Sequence, residues 1–182
     1  MSASGKGWRP GDRRARLDSM LRVDQAGEYG AARIYAGQLA VFGDRRPVSR
    51  PIARMAAQEA RHLERFDAMI AERGVRPTLL QPLWNVAGHA LGAATALMSP
   101  QAAMACTAAI ETEIDRHYAE QRTELEGQDE AFESVVAEFQ ADEREHRDTA
   151  IAAGAQQAFA YPLLSAMIRF GCRTAIALSK RI

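Results

Sequence analysis

The segment Asp142-Glu143-Arg144-Glu145-His146 carries a Glu-x-x-His pattern, and Glu59-Ala60-Arg61-His62 repeats it. Residues three apart on a helix share a face, so each pair aims a carboxylate and an imidazole at one point. One such pair arises readily among surface charges. Two pairs that use half of the chain's four histidines carry more weight, and a glutamate precedes each at matching distance. Glu28 stands 31 residues before Glu59, and Glu111 stands 32 before Glu143. The halves therefore repeat with an offset of 83 to 84 positions. The pattern describes two helical hairpins, each giving a Glu from its first helix and a Glu-x-x-His from its second. Packed face to face, they bring Glu28, Glu59, His62, Glu111, Glu143 and His146 to one axis, the ligand set of carboxylate bundles that hold two metal ions. Hard carboxylates and imidazoles suit Fe(II) or Mn(II), whereas zinc favours a smaller tetrahedral site.

Local charge points the same way. Residues 25–32 hold no ionisable acid or base besides Glu28 and the weakly acidic Tyr29, and Glu111 follows a 34-residue stretch, 77–110, with no Asp, Glu, Lys or Arg. Carboxylates buried together and unpaired are prohibitively costly. Two divalent cations would balance four glutamates with both histidines neutral. Glu64, Glu72, Glu120, Glu124 and Glu138 lack the paired spacing and read as solvated helix charges.

Helical angles sort the neighbours. Glu113 and Glu145 lie about 200° round from the proposed ligands two positions earlier and should face away. His117 is about 120° off the face of Glu111, while Tyr118 returns to that face. Tyr118 is therefore a candidate for lining a substrate channel, with core packing as its alternative. Asp24, one turn before Glu28, is a candidate acceptor for the outward N–H of a ligating imidazole; Asp142 and Asp148 are weaker ones. His89 sits in an apolar stretch and is read as non-ligating.

The rest of the chain is helical in pattern. Helices are expected at 14–42, 49–72, 83–98, 101–126, 130–153 and 162–180, with Ser49 and Asp129 as N-caps and Gly74, Gly127 and Gly154 as stops. Gly27, Gly30 and Gly37 in the first helix suggest close approach of a neighbour. Residues 1–13 read as a flexible basic arm and 14–182 as one domain. The expected fold is all-α, a four-helix bundle with two additional apolar helices. Lys+Arg and Asp+Glu both total 23, so no bulk charge attracts nucleic acid. Cys106 and Cys172 form no CxxC motif and read as reduced thiols on helix faces.

Two apolar surfaces stand out. The 83–99 stretch is at the lower limit for crossing a bilayer and is diluted by Asn85, Gly88, His89 and Gly92, which favours membrane or substrate contact over a span. The last helix joins Leu163, Leu164, Met167, Ile168, Ile176 and Leu178 to Arg169, Arg173, Lys180 and Arg181, a composition suited to an anionic membrane surface.

The segments Arg22-Val23-Asp24-Gln25-Ala26-Gly27-Glu28-Tyr29-Gly30-Ala31 and Arg33-Ile34-Tyr35-Ala36-Gly37-Gln38 resemble the first ligand helix of the demethoxyubiquinone hydroxylase family. Ala105-Cys106-Thr107, His117-Tyr118 and Gly171-Cys172-Arg173 extend the resemblance over almost the whole chain. It implies a ferritin-like fold, two iron ions cycling between Fe(II) and Fe(III), and hydroxylation of a polyprenylated demethoxybenzoquinol with O₂ in ubiquinone synthesis. It maps the ligands onto the same six residues, with Glu59 and Glu143 bridging, and makes Tyr118 and His117 candidates for positioning the ring or a proton. It further implies a membrane-embedded quinol substrate and a peripheral protein on the cytoplasmic face of a bacterial inner membrane, or on the mitochondrial inner membrane in a eukaryote. A homo-oligomer or a lipid-binding accessory protein is the expected partner. The alternative from the ligand set alone is another di-iron bundle, an iron store or peroxidase of bacterioferritin or rubrerythrin type. Rubrerythrin's paired CxxC motifs are absent from this sequence.

Overall fold

The computed structural model describes residues 13–181; apart from Arg13, the proposed N-terminal arm lies outside them. Six helices follow in order: α1 (Arg13–Phe42), α2 (Ser49–Arg73), α3 (Gln81–Met98), α4 (Pro100–Leu125), α5 (Glu130–Ala152) and α6 (Tyr161–Ser179). One 3₁₀ turn, Ala155–Gln157, precedes α6, and no strand occurs among the described residues. The fold is all-α. Hairpins α1–α2 and α4–α5 form a ferritin-like four-helix bundle, with α3 laid along α1 and α6 along α4. The internal repeat thus reaches beyond the hairpins, because each half ends in a third helix folded back on its first.

Local chemistry sets the boundaries. Gly74 adopts φ 64° after α2, and the Val75 N–H closes the helix on the Ile70 carbonyl at 3.0 Å. Asp129 caps α5 by accepting from the Phe132 N–H at 3.0 Å, and Ser99 caps α4 from Ala102 at 2.9 Å. Ser49 makes no cap bond, contrary to expectation. The backbone already turns helical at Val48, so Ser49 is buried inside the first turn.

The core explains half of the uncharged run. The first part of α4, including Ala103, Met104, Ala105 and Cys106, is completely buried among α1, α3, α5 and α6, so charge there is excluded by packing. On α3 and α6 the apolar residues point outward instead, with Leu97 75% and Phe170 72% exposed. No helix among the described residues is long and apolar enough to cross a membrane.

The small residues of α1 divide by role. A Cβ on Gly37 would lie 2.2 Å from the His89 carbonyl oxygen, and one on Gly92 would lie 2.0 Å from that of Ile34, so α1 and α3 touch backbone to backbone. Gly27 and Gly30 do not serve close approach. A Cβ on either meets nothing within 4 Å, because both border a cavity.

Glu113 faces away from the proposed ligands, but its destination is protein rather than water. It is fully buried and accepts from Arg169 Nε at 2.6 Å, Arg173 Nε at 2.9 Å and Arg116 Nε at 3.1 Å. Arg169 and Arg173, read from sequence as membrane-directed, are thus tied to α4. Burial alone would raise this carboxyl, but hydrogen bonds from Arg173, Arg169 and Arg116 outweigh it and hold the pKa down to about 2. A pKa depressed in the fold gives stability above the ordinary 4.5, lost as pH falls toward 2. The arginines are partly solvated, which discounts the gain. Glu113→Ala is expected to cost about 2 kcal/mol at pH 7, with the gap to wild type narrowing below about pH 4. Urea midpoints at the two pH values check it; a gap independent of pH would contradict this account.

Candidate metal centre

Each ligand-bearing helix places its residues by the spacing read above. One group of donor atoms comes from Glu28, Glu59, His62 and Glu143, a second from Glu59, Glu111, Glu143 and His146, and within each group all atoms lie within 4.8 Å of one another. The structure therefore brings together all six residues singled out from the sequence, and Glu59 and Glu143 belong to both groups. All six are buried, at most 1% exposed.

Both imidazoles turn Nδ1 inward. His62 Nδ1 lies 3.4 Å from Glu28 Oε2 and 3.2 Å from Glu143 Oε1; His146 Nδ1 lies 3.1 Å from Glu59 Oε1. Outward, His62 Nε2 meets Asp142 Oδ2 at 3.0 Å and His146 Nε2 meets Gln58 Oε1 at 3.1 Å. An acceptor at Nε2 keeps the proton there and leaves the Nδ1 lone pair for a metal. Asp142 and Gln58 each immediately precede a Glu-x-x-His glutamate and reach across to the other hairpin's histidine. Asp24 does not fill this role: it accepts from His117 and Gln121 instead. Asp148 is exposed and meets Arg147, and His89 contacts Arg33 at 3.4 Å away from the cluster.

Two tyrosines complete the constellation. Tyr35 donates to Glu111 Oε1 at 2.6 Å, and Tyr118 donates to Glu28 Oε1. Each stands seven residues after the lone glutamate of its own helix and bonds the one on the other. Burial first, then the nearby carboxylates, raise both phenols well above their usual range, so they remain donors. Tyr35 and Gln58 were not singled out from the sequence, although the offset that relates Glu28 to Glu111 relates Tyr35 to Tyr118, and Gln58 is the counterpart of Asp142.

The donor set fits two divalent cations. Glu28 Oε2, both Glu59 oxygens, His62 Nδ1, Glu111 Oε2 and Glu143 Oε1 are buried without a hydrogen bond, and all belong to residues of the cluster. Burial first, then repulsion from Glu143, Glu28 and Glu111, raises the Glu59 carboxyl well above its usual range; burial and Glu143 raise Glu111. Burial opposes charging of His62, but the Glu143 and Glu28 carboxylates close to Nδ1 prevail and push it up to about 11. Protons and metal thus compete for the same atoms, and metal binding would release protons.

Beside the cluster, α1, α3, α4 and α6 line a cavity of about 500 Å³ with mostly apolar walls, open to the surface on the side of Gly27 and Met167. Glu28 and Tyr118 form part of its wall, as do Asp24 and His117. Two other depressions, of about 610 and 600 Å³, are lined by charged residues near the α4–α5 turn and near Arg13, away from the cluster. Cys172 lines the apolar cavity, where burial pushes its thiol up to about 12.

Residues 15–179 match the family described as Ubiquinone biosynthesis protein COQ7. A 3-demethoxyubiquinol 3-hydroxylase of Rhodospirillum rubrum is 51% identical over 168 residues, covering 92% of this chain and 79% of that protein. The human protein named NADPH-dependent 3-demethoxyubiquinone 3-hydroxylase, mitochondrial, is 48% identical over 173 residues, covering 93% and 79%. The Saccharomyces cerevisiae 5-demethoxyubiquinone hydroxylase, mitochondrial, is 41% identical over 182 aligned positions, covering 91% and 78%.

Proposed function

Because the chain belongs to the family described as Ubiquinone biosynthesis protein COQ7, we propose that it is a 3-demethoxyubiquinol 3-hydroxylase, adding a ring hydroxyl from O₂ to a polyprenylated demethoxybenzoquinol. One observation carries the reading: Glu28 belongs both to the buried donor cluster and to the wall of the apolar cavity. A ring seated there lies against the metal centre, between mostly apolar walls. A cavity of about 500 Å³ is within the range that suits a small aromatic ligand.

Glu28, Glu59, His62 and Glu143 would hold one iron, and Glu59, Glu111, Glu143 and His146 the other. The bound irons supply O₂ activation and redox equivalents. The protein orients the ligands through Asp142, Gln58, Tyr35 and Tyr118, and the cavity sets apolar walls against the ring. Charged and aliphatic groups divide the labour: the bundle axis binds metal, the α1–α3–α4–α6 space binds quinol.

The exposed apolar residues of α3 and α6, among them Leu83, Val86, Leu163 and Met167, support peripheral docking on a bilayer, where the prenyl tail resides. The names of the eukaryotic relatives place those proteins in mitochondria. For this chain the proposed location is the cytoplasmic face of a bacterial inner membrane, or the mitochondrial inner membrane in a eukaryotic host.

Chromatography of quinones from a strain lacking this protein tests the assignment. Demethoxyubiquinone is expected to accumulate and ubiquinone to disappear, with both restored by the wild-type gene. Normal ubiquinone without the precursor would sink the proposal.

A further inference from the structure

We propose that His117 is the base that removes the proton from the substrate's ring hydroxyl, with Asp24 and Gln121 as the residues that position it; this rests on the cavity being the quinol site. His117 Nε2 lies 3.1 Å from Asp24 Oδ1, and Gln121 Nε2 donates to Asp24 Oδ2 at 2.7 Å. All three are buried, with Asp24 only 2% exposed. Burying a carboxylate against an apolar cavity is costly unless it is paired, and here its partner is an imidazole on the cavity wall.

The internal repeat separates this pair from the metal-binding machinery. The offset that relates the two halves duplicates the ligands, both tyrosines and the glutamine pair Gln38 and Gln121. It does not duplicate the pair: Asp24 corresponds to Thr107, and His117 corresponds to Ile34. What both halves need for holding metal is present twice. The Asp–His pair is present once, on the side where the quinol cavity lies.

The geometry also chooses between His117 and Tyr118. The Tyr118 hydroxyl is committed as a donor to Glu28, so it offers the substrate no free acceptor of the kind a base needs. Asp24 keeps the His117 proton on Nε2, which leaves the lone pair on Nδ1, an atom with no hydrogen bond among the described residues. The other ionisable groups on the cavity wall are Asp24 and Glu28 from α1, Tyr118 from α4 and Cys172 from α6; α3 contributes none. In the step, the quinol O–H bond breaks and an N–H bond forms on Nδ1. The ring becomes a more electron-rich phenolate, the imidazolium is neutralised by Asp24, and no electrons change hands. Water takes the proton when product leaves.

The test uses the iron-loaded, reductant-supplied protein with demethoxyubiquinol and the variants His117→Ala and Asp24→Asn. His117→Ala is expected to lower kcat about 10²-fold. Iron content and quinol Kd should stay near wild type, and imidazole added to solution should restore part of kcat. Asp24→Asn should lower kcat less, without imidazole rescue. Full kcat in His117→Ala, a loss that tracks lost iron or quinol binding, or failure of imidazole to restore a soluble variant would each overturn the role of His117. Absence of wild-type turnover would overturn the quinol reading and this inference together.

Discussion

Glu59→Gln is expected to abolish metal loading at both positions and yet make the metal-stripped protein more stable. Glu59 contributes a donor atom to each group, so its loss disables both, and iron content and turnover should fall by at least about 10²-fold. Stripped of metal, the same side chain is a liability. It is 0% exposed, both its oxygens lack a hydrogen bond, and burial together with Glu143, Glu28 and Glu111 raises its pKa well above the ordinary 4.5. A carboxyl whose pKa is raised by folding leaves the native state holding more protons than the unfolded one. Stability from this group is therefore intact below the unfolded value and declines as pH rises above it. Glutamine has the same shape, carries no charge and offers amide donors to the surrounding carboxylates. Removing a carboxyl that folding must either bury charged or protonate should add about 1–4 kcal/mol near pH 7. The gain should shrink toward pH 4. Urea unfolding of chelator-treated protein from pH 4 to 8, beside iron analysis of the untreated protein, tests both halves. A stripped Glu59→Gln protein weaker than wild type at pH 7, or one that still loads two irons, would contradict the reading of the cluster as metal-shaped.

The six proposed ligands were legible in the sequence because helical periodicity fixes which residues share a face, and because the pattern occurs twice. The orientation of polar partners was less legible. Asp142 and Asp24 both sit within a turn of a ligand, but Asp142 reaches across to His62 on α2, while Asp24 is held by His117 and Gln121 on α4. Tyr35 and Gln58 lay within reach of sequence reasoning: applying the repeat to the ligands' neighbours identifies them. Glu113 illustrates a different limit. Its angle on α4 excludes it from the metal, but nothing in the spacing of one helix says that α6 will cover that face with arginines. The uncharged 77–110 stretch likewise combines two causes, an outward apolar face on α3 and total burial on α4, which composition alone cannot separate.

The glycines of α1 carry the second large effect, because identical residues there have opposite structural meanings. Gly30 has nothing within 4 Å of where a Cβ would stand, and it borders the cavity two residues past Glu28. Gly30→Leu should therefore extend from an unhindered Cβ into the cavity, gain about 1 kcal/mol of helix propensity, and raise Tm by about 2–4 °C. It should also fill the space proposed for the quinol ring. The expected kcat/KM falls at least about 10²-fold with iron content unchanged, since a substrate excluded from its site loses both binding and positioning. Gly30→Ala should share most of the stabilisation with a smaller loss of turnover. Gly37→Ala, seven residues along the same helix, should do the reverse. Its Cβ would stand 2.2 Å from the His89 carbonyl oxygen, so α1 and α3 must separate, at a cost of about 1–3 kcal/mol or more. A stabilised, iron-loaded Gly30→Leu protein that turns over at the wild-type rate would show that quinol reaches the metal by another route. A destabilised one would show that the space beside Gly30 is not open. Only the combination of higher Tm, intact iron and lost turnover is what an apolar cavity serving as the substrate site requires.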